Sequence, residues 1–146
     1  MRWRFGFVAS VFCLGLLSGY SQGNAAEWNP QAFAQEETLS MRTIGPEEGE
    51  YWFPVWLVVI DQQVYVRLGS RAAERVEKNK TAPLLAIKVA GQEFDAVKGE
   101  NAPDMADAVA AAMADKYWSD LFIRYFPHPM TLRLSVVPAS ESGLPE

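Results

Sequence analysis

Residues 51–68 read as one strand folded straight back on another, and that hairpin constrains everything around it. Residues 55–60 are apolar throughout and rich in β-branched side chains, the composition of a central strand covered on both faces. Asp61-Gln62-Gln63 supplies a polar turn. Val64, Val66 and Leu68 then alternate with Tyr65 and Arg67, so a half-buried return strand delivers an arginine at its end. Pro54 cannot donate a ladder hydrogen bond, so pairing is expected to begin after it. Past Leu68-Gly69-Ser70 the mixed-charge segment 71–78 reads as a short helix. Glu74 and Lys78 stand there in the favourable acid-first i,i+4 order.

The same period-two pattern recurs on either side. Residues 39–44 form a strand that the turn Gly45-Pro46-Glu47-Glu48-Gly49 folds onto the next. Residues 84–89 and 93–97 make a second hairpin about Gly91-Gln92, and residues 131–137 a sixth strand. Residues 27–37 are weakly amphipathic, enough for one helical turn or two. Asn101 is placed to cap a helix over 102–118, with Pro103 and Asp104 in its first turn. Met105, Ala108, Val109, Ala112, Met113 and Tyr117 fall on one face of it and are expected to pack on the sheet. Six short strands in hairpins, with one main helix before the last, predict a mainly β fold with some α: a six-stranded antiparallel barrel. Closure removes the exposed edges.

Segment boundaries follow from composition. Residues 1–26 read as a signal peptide: Arg2 and Arg4, an apolar core over 5–17, then small residues at Gly23-Asn24-Ala25-Ala26. Residues 27–138 form the domain and 139–146 a flexible tail. The chain is then exported, periplasmic or secreted, and free of the membrane after cleavage. Its 13 basic and 18 acidic residues give −5, or −7 once two arginines leave with the signal, and no basic stripe offers nucleic acid a footprint. Cys13 is the only cysteine and leaves too, which excludes a disulfide, a thiol nucleophile or a cysteine-bound zinc. No metal-ligand spacing is present.

The chain resembles the split-barrel flavin-binding superfamily related to pyridoxamine 5'-phosphate oxidase, over roughly residues 38–138. The residues that carry the likeness are Pro54-Val-Trp-Leu-Val-Val-Ile60, Val64-Tyr-Val-Arg67, Ser70, Arg75-Val-Glu-Lys-Asn79, Asp115-Lys-Tyr-Trp118 and Leu132-Arg-Leu134. The resemblance implies a split β-barrel that pairs as a homodimer and holds FMN or a deazaflavin. It places the cofactor's phosphate where the third strand meets the following helix, on residues that match Arg67, Ser70 and Arg71 in type. A lysine usual near that helix start is absent; Ala72 or Ala73 stands there, and Lys78-Asn79-Lys80 replaces the usual proline-containing end.

Each candidate has a chemical reason and a plainer alternative. The Arg67 guanidinium matches phosphate oxygens in pairs, or it simply pairs with an acid at the barrel mouth. Ser70 and Arg71 complete an anion cradle at the helix start, or form an ordinary cap and a solvated face. Trp56 and Tyr65 are candidates to line a slot for a planar ring. Trp52, Trp118, Phe122, Tyr125 and Phe126 add aromatic area for a ligand, a core or a dimer face. His128, the only histidine, lies between two prolines and is a candidate haem ligand or a surface-loop residue. Three functions stay open: a flavin-dependent oxidoreductase, a non-catalytic ligand-binding or structural dimeric barrel, and a haem-binding barrel.

Overall fold

The computed structural model describes residues 26–117 and 127–138. The expected signal segment (all but Ala26), the tail from 139, and Trp118, Phe122, Tyr125 and Phe126 lie outside the described residues. One helical turn, α1 (Pro30–Phe33), leads into β1 (Thr38–Gly45), β2 (Gly49–Ile60) and β3 (Gln63–Leu68). Then come α2 (Ser70–Glu77), β4 (Leu84–Val89) and β5 (Gln92–Asn101). A 3-10 turn (Pro103–Met105), α3 (Ala106–Lys116) and β6 (Met130–Val136) complete the order. The strands pair antiparallel in the order β1-β2-β3-β6-β5-β4, and β4 returns to β1 to close the barrel. The expected fold class is what is found.

Alternation sorts the side chains into two cores. Leu39, Met41, Val55, Leu57, Val64, Val66 and Leu134 fill the barrel, and α1 presses Phe33 into it with Trp28 edge-on to Phe33 and Phe94. On the outer wall Val58 and Tyr65 are covered by Val109, Met113 and Tyr117 of the α3 region. That second layer is why residues 55–60 are apolar on both faces. Two-residue turns make the tight hairpins: Asp61 and Gln62 (φ 49° and 62°) join β2 to β3, and Ala90 and Gly91 (φ 51° and 72°) join β4 to β5. Left-handed turn residues match the twist of the strands they connect.

Three expectations are corrected. Pairing does not wait for Pro54; β2 begins at Gly49 and Pro54 sits opposite Ser40 of β1. The Leu57 carbonyl accepts from Tyr117, whose hydroxyl also reaches Glu37, just before β1. Leu57 therefore faces the β1 edge, and the two-residue period turns the Pro54 nitrogen to the other edge, which β3 pairs only from Leu57 onward. No ladder bond is lost there. Asn101 is not a cap: it ends β5 opposite Leu132, and the following Ala102 N–H still bonds Thr131, so the α-helix starts only at Ala106. Ala108 is exposed, because α3 docks mainly through Val109 and Met113.

Candidate functional site

Alternation along β3 decides where the site can be. Val64, Val66 and Leu68 point into the barrel, so Tyr65 and Arg67 stand on its outer wall. Tyr65 is buried under α3, and its hydroxyl accepts from Arg133 Nε at 3.2 Å. Arg67, two residues on, is half-buried, with Nη2 at 3.3 Å from His128 Nδ1. A guanidinium has no lone pair to offer, so it donates and Nδ1 accepts. The neutral ring then carries its proton on Nε2.

Arg67 and His128 line a cavity of about 300 Å³ together with Thr38, Trp56, Gly69 and Met113. An adjoining hollow of about 480 Å³ shares Pro54, Gly69, Ala72 and His128 and adds Ser70, Arg71 and Arg75. Together they form a groove on the outside of the barrel, between β2, the start of α2 and the segment entering β6. Among the described residues every titratable group along it is basic: Arg67, Arg71, Arg75 and His128. In a chain of net charge −5, that is a local reversal of sign.

Each wall has a local cause. Gly69 caps α2 with no side-chain hydrogen bond, and no acid stands in the first turn, so the helix presents N–H groups beside Ser70 and Arg71. Ser70 is the first helical residue rather than the cap. Arg75 is tied down, forked onto Glu48 at 3.1–3.2 Å and lying 4.2 Å from the Tyr51 ring centre. Trp56 is half-buried and stacked on Tyr117, with ring centres 4.7 Å apart and planes at 14°. Burial pushes the Tyr117 phenol up to about 12 and draws the Lys116 ammonium below its ordinary range.

The structure thus brings Arg67 and Trp56 to one cavity and Ser70 and Arg71 to its neighbour, and leaves Tyr65 in a separate core. Of the two alanines in the lysine's place, Ala73 is buried and Ala72 lines both cavities, so no lysine reaches the groove from the helix start. Met113 and the Arg67–His128 contact were not legible from spacing, since 61 positions separate the pair. A third hollow of about 530 Å³ lies between the 45–48 turn and α2. Its Glu48 pairs with Arg75 and its Glu74 with Lys78, which makes it a surface laced by its own ion pairs. Among the described residues no group of three or more His, Cys, Asp or Glu is placed to hold a metal, and no helix is long and apolar enough to cross a membrane.

No family model matches the chain, and no curated protein matches it. Solved structures do. HutZ, the heme storage protein from Vibrio cholerae, aligns with a TM-score of 0.55 at 18% identity, over 75% of this chain and 88% of that one. A conserved hypothetical protein from Mycobacterium tuberculosis aligns with a TM-score of 0.56 at 15% identity, over 80% and 86%. A protein of unknown function from Agrobacterium tumefaciens gives 0.59 at 14%, over 75% of this chain and 51% of that one, so the chain spans about half its length. At such identities the shared property is the barrel fold.

Proposed function

We propose that the outer groove binds a planar, phosphate-bearing cofactor of the FMN or deazaflavin class, making this chain an oxidoreductase-like split barrel. One observation carries the reading: arginines and a histidine, the only titratable groups among the described residues of the groove, stand against an indole wall in an otherwise acidic protein. Arg67 and Arg71 are the groups to neutralise the phosphate, with Ser70 and the α2 N–H groups completing the cradle. Trp56 and Met113 offer apolar surface to the ring. When bound, the cofactor supplies the electron chemistry, while the chain binds, orients and partly dries it. Among the described residues the groove offers no carboxylate for proton transfer.

Haem is the second reading, supported by the likeness to HutZ and by His128 on the groove wall. It requires the imidazole to give up the proton on Nε2 or its bond from Arg67, since a metal takes a nitrogen lone pair. Flavin makes no such demand. Export of the mature chain and pairing of two copies belong to the same proposal and rest on the leader-like residues 1–26 and on the resemblance.

The test is a spectrum and a titration of the purified full chain. Added FMN should be retained and lose fluorescence, and Arg67→Ala should weaken binding at least tenfold, about 1.4 kcal/mol. A Soret band on adding haem, with no flavin uptake, moves the assignment to the second reading. A protein that ignores both is the non-catalytic barrel.

A further inference from the structure

We infer that Tyr117 is a positioning residue that sets the Trp56 wall, and through it makes the groove select a flat ring rather than a bare anion. The inference rests on the planar-cofactor reading and names the part of the site that reads the ring.

Trp56 stands on the outer face of β2, packed against the cluster that α3 covers. Tyr117 supplies the fixed surface: it is 8% exposed and lies nearly parallel to the indole at 4.7 Å. Its hydroxyl is itself anchored, 2.5 Å from the Glu37 carbonyl oxygen and 2.8 Å from that of Leu57, sharing one proton between them. The Leu57 carbonyl is available because β1–β2 pairing stops at Thr38 and Trp56. Lys116 reinforces the same point, donating to the carbonyls of Leu57 at 3.0 Å and Glu36 at 2.5 Å. The end of α3 is therefore stapled to the residues flanking Thr38 and Trp56, both of which line the 300 Å³ cavity. Met113, one turn earlier on α3, lines it directly. The ring-facing side of the groove is held from α3, while the anion side is held from β3 and α2.

The two sides separate in one experiment. Full-length wild type, Tyr117→Phe, Tyr117→Leu and Arg67→Ala are titrated with FMN, riboflavin and inorganic phosphate, and acrylamide quenching of indole emission is read against Trp56→Phe. Tyr117→Leu should weaken FMN and riboflavin about tenfold, leave phosphate unchanged and make Trp56 more accessible to quencher. Tyr117→Phe, which keeps the ring, should stay within about twofold. Arg67→Ala should weaken phosphate and FMN and spare riboflavin. Equal losses of phosphate and flavin in Tyr117→Leu, or no loss of either, would overturn the inference. If the wild type takes up no flavin at all, the cofactor reading fails by itself. Quenching then still judges Tyr117, and unchanged access to Trp56 overturns its role. Should the leucine variant not fold, Tyr117→Met repeats the test with a side chain that has no flat face.

Discussion

The side-chain oxygen of Asn79 accepts the backbone N–H of Ile44 at 3.0 Å, joining the end of α2 to β1 across 35 positions of chain. The same oxygen meets the N–H of Thr81 at 3.3 Å, while the Asn79 amide nitrogen donates to the Leu84 carbonyl at 2.9 Å. Lys80 N–H bonds the Ile44 carbonyl at 2.8 Å. A side chain only 6% exposed thus pins the α2–β4 connection to the first strand, as a short stretch of ladder would. Asn79→Ala takes that acceptor from the N–H groups of Ile44 and Thr81, while the Leu84 carbonyl keeps the Thr81 hydroxyl at 2.7 Å, and a buried polar group so stranded costs about 1–3 kcal/mol. The expected result is a loss of about 2–3 kcal/mol, seen as a lower urea midpoint with an unchanged m-value.

Ala90 holds φ +51° in the β4–β5 turn, a conformation that side chains with a Cβ enter at a cost. Ala90→Gly should therefore raise stability by about 0.5–1 kcal/mol, although glycine adds freedom to the unfolded chain. In the β2–β3 turn, Asp61→Asn with Gln62→Gly installs the pair that such turns prefer and should act in the same direction. Thermal or urea unfolding reads both. Neither site lines the groove, so FMN affinity should not move.

What the sequence made legible follows from which features are local. Every hairpin was visible, because alternation is a property of neighbours and closure needs only that each strand find two. Alternation even put Tyr65 and Arg67 on one face. It could not say that α3 would cover the first and leave the second beside a cavity, which is decided by where the helix docks. Pro54 was misjudged because the lost hydrogen bond depends on which strand edge is unpaired. Asn101 was misjudged because a residue suited to capping also suits a strand end when β6 is there to pair with it. His128 was noted as a lone ring, and only folding showed that it takes a hydrogen bond from Arg67.

The raised phenol of Tyr117 makes a pH prediction with a definite sign. In the unfolded chain a tyrosine ionises near 10, whereas in the fold burial delays it to about 12. Between those values the folded state holds the extra proton, so its contribution is complete below pH 10 and is lost as pH rises towards 12. The loss should be on the order of 2 kcal/mol. Tyr117→Phe has no proton to lose, so the stability difference between wild type and variant should shrink over this window and be flat below it. The depressed Lys116 works the other way, adding stability as pH rises towards 10.5, and it is present in both proteins. Urea midpoints at pH 8, 10 and 11.5 test this, and a constant difference would contradict it.

Arg71 is the residue whose position local stability does not explain. It occupies the first turn of α2, where the helix dipole disfavours a cation, and that turn holds no acid. It lines the groove shared with Ser70 and His128 and also borders the hollow beside Glu48 and Glu74. Some of the cost is recovered by attraction to Glu74 three residues on, whose carboxyl lies below its usual range chiefly through Lys78 and to a lesser degree through Arg71. Arg71→Gln removes the dipole penalty and that attraction together, so stability should stay within about 0.5 kcal/mol of wild type. Affinity for FMN should nevertheless fall about five- to tenfold, and its salt dependence should weaken, because a charge aimed at the phosphate is gone. A cation that helps binding while adding nothing to folding is what a ligand site leaves in a sequence. If Arg71→Gln instead lost stability and kept its FMN affinity, Arg71 would belong to the surface and the anion cradle would shrink to Arg67 and the helix start.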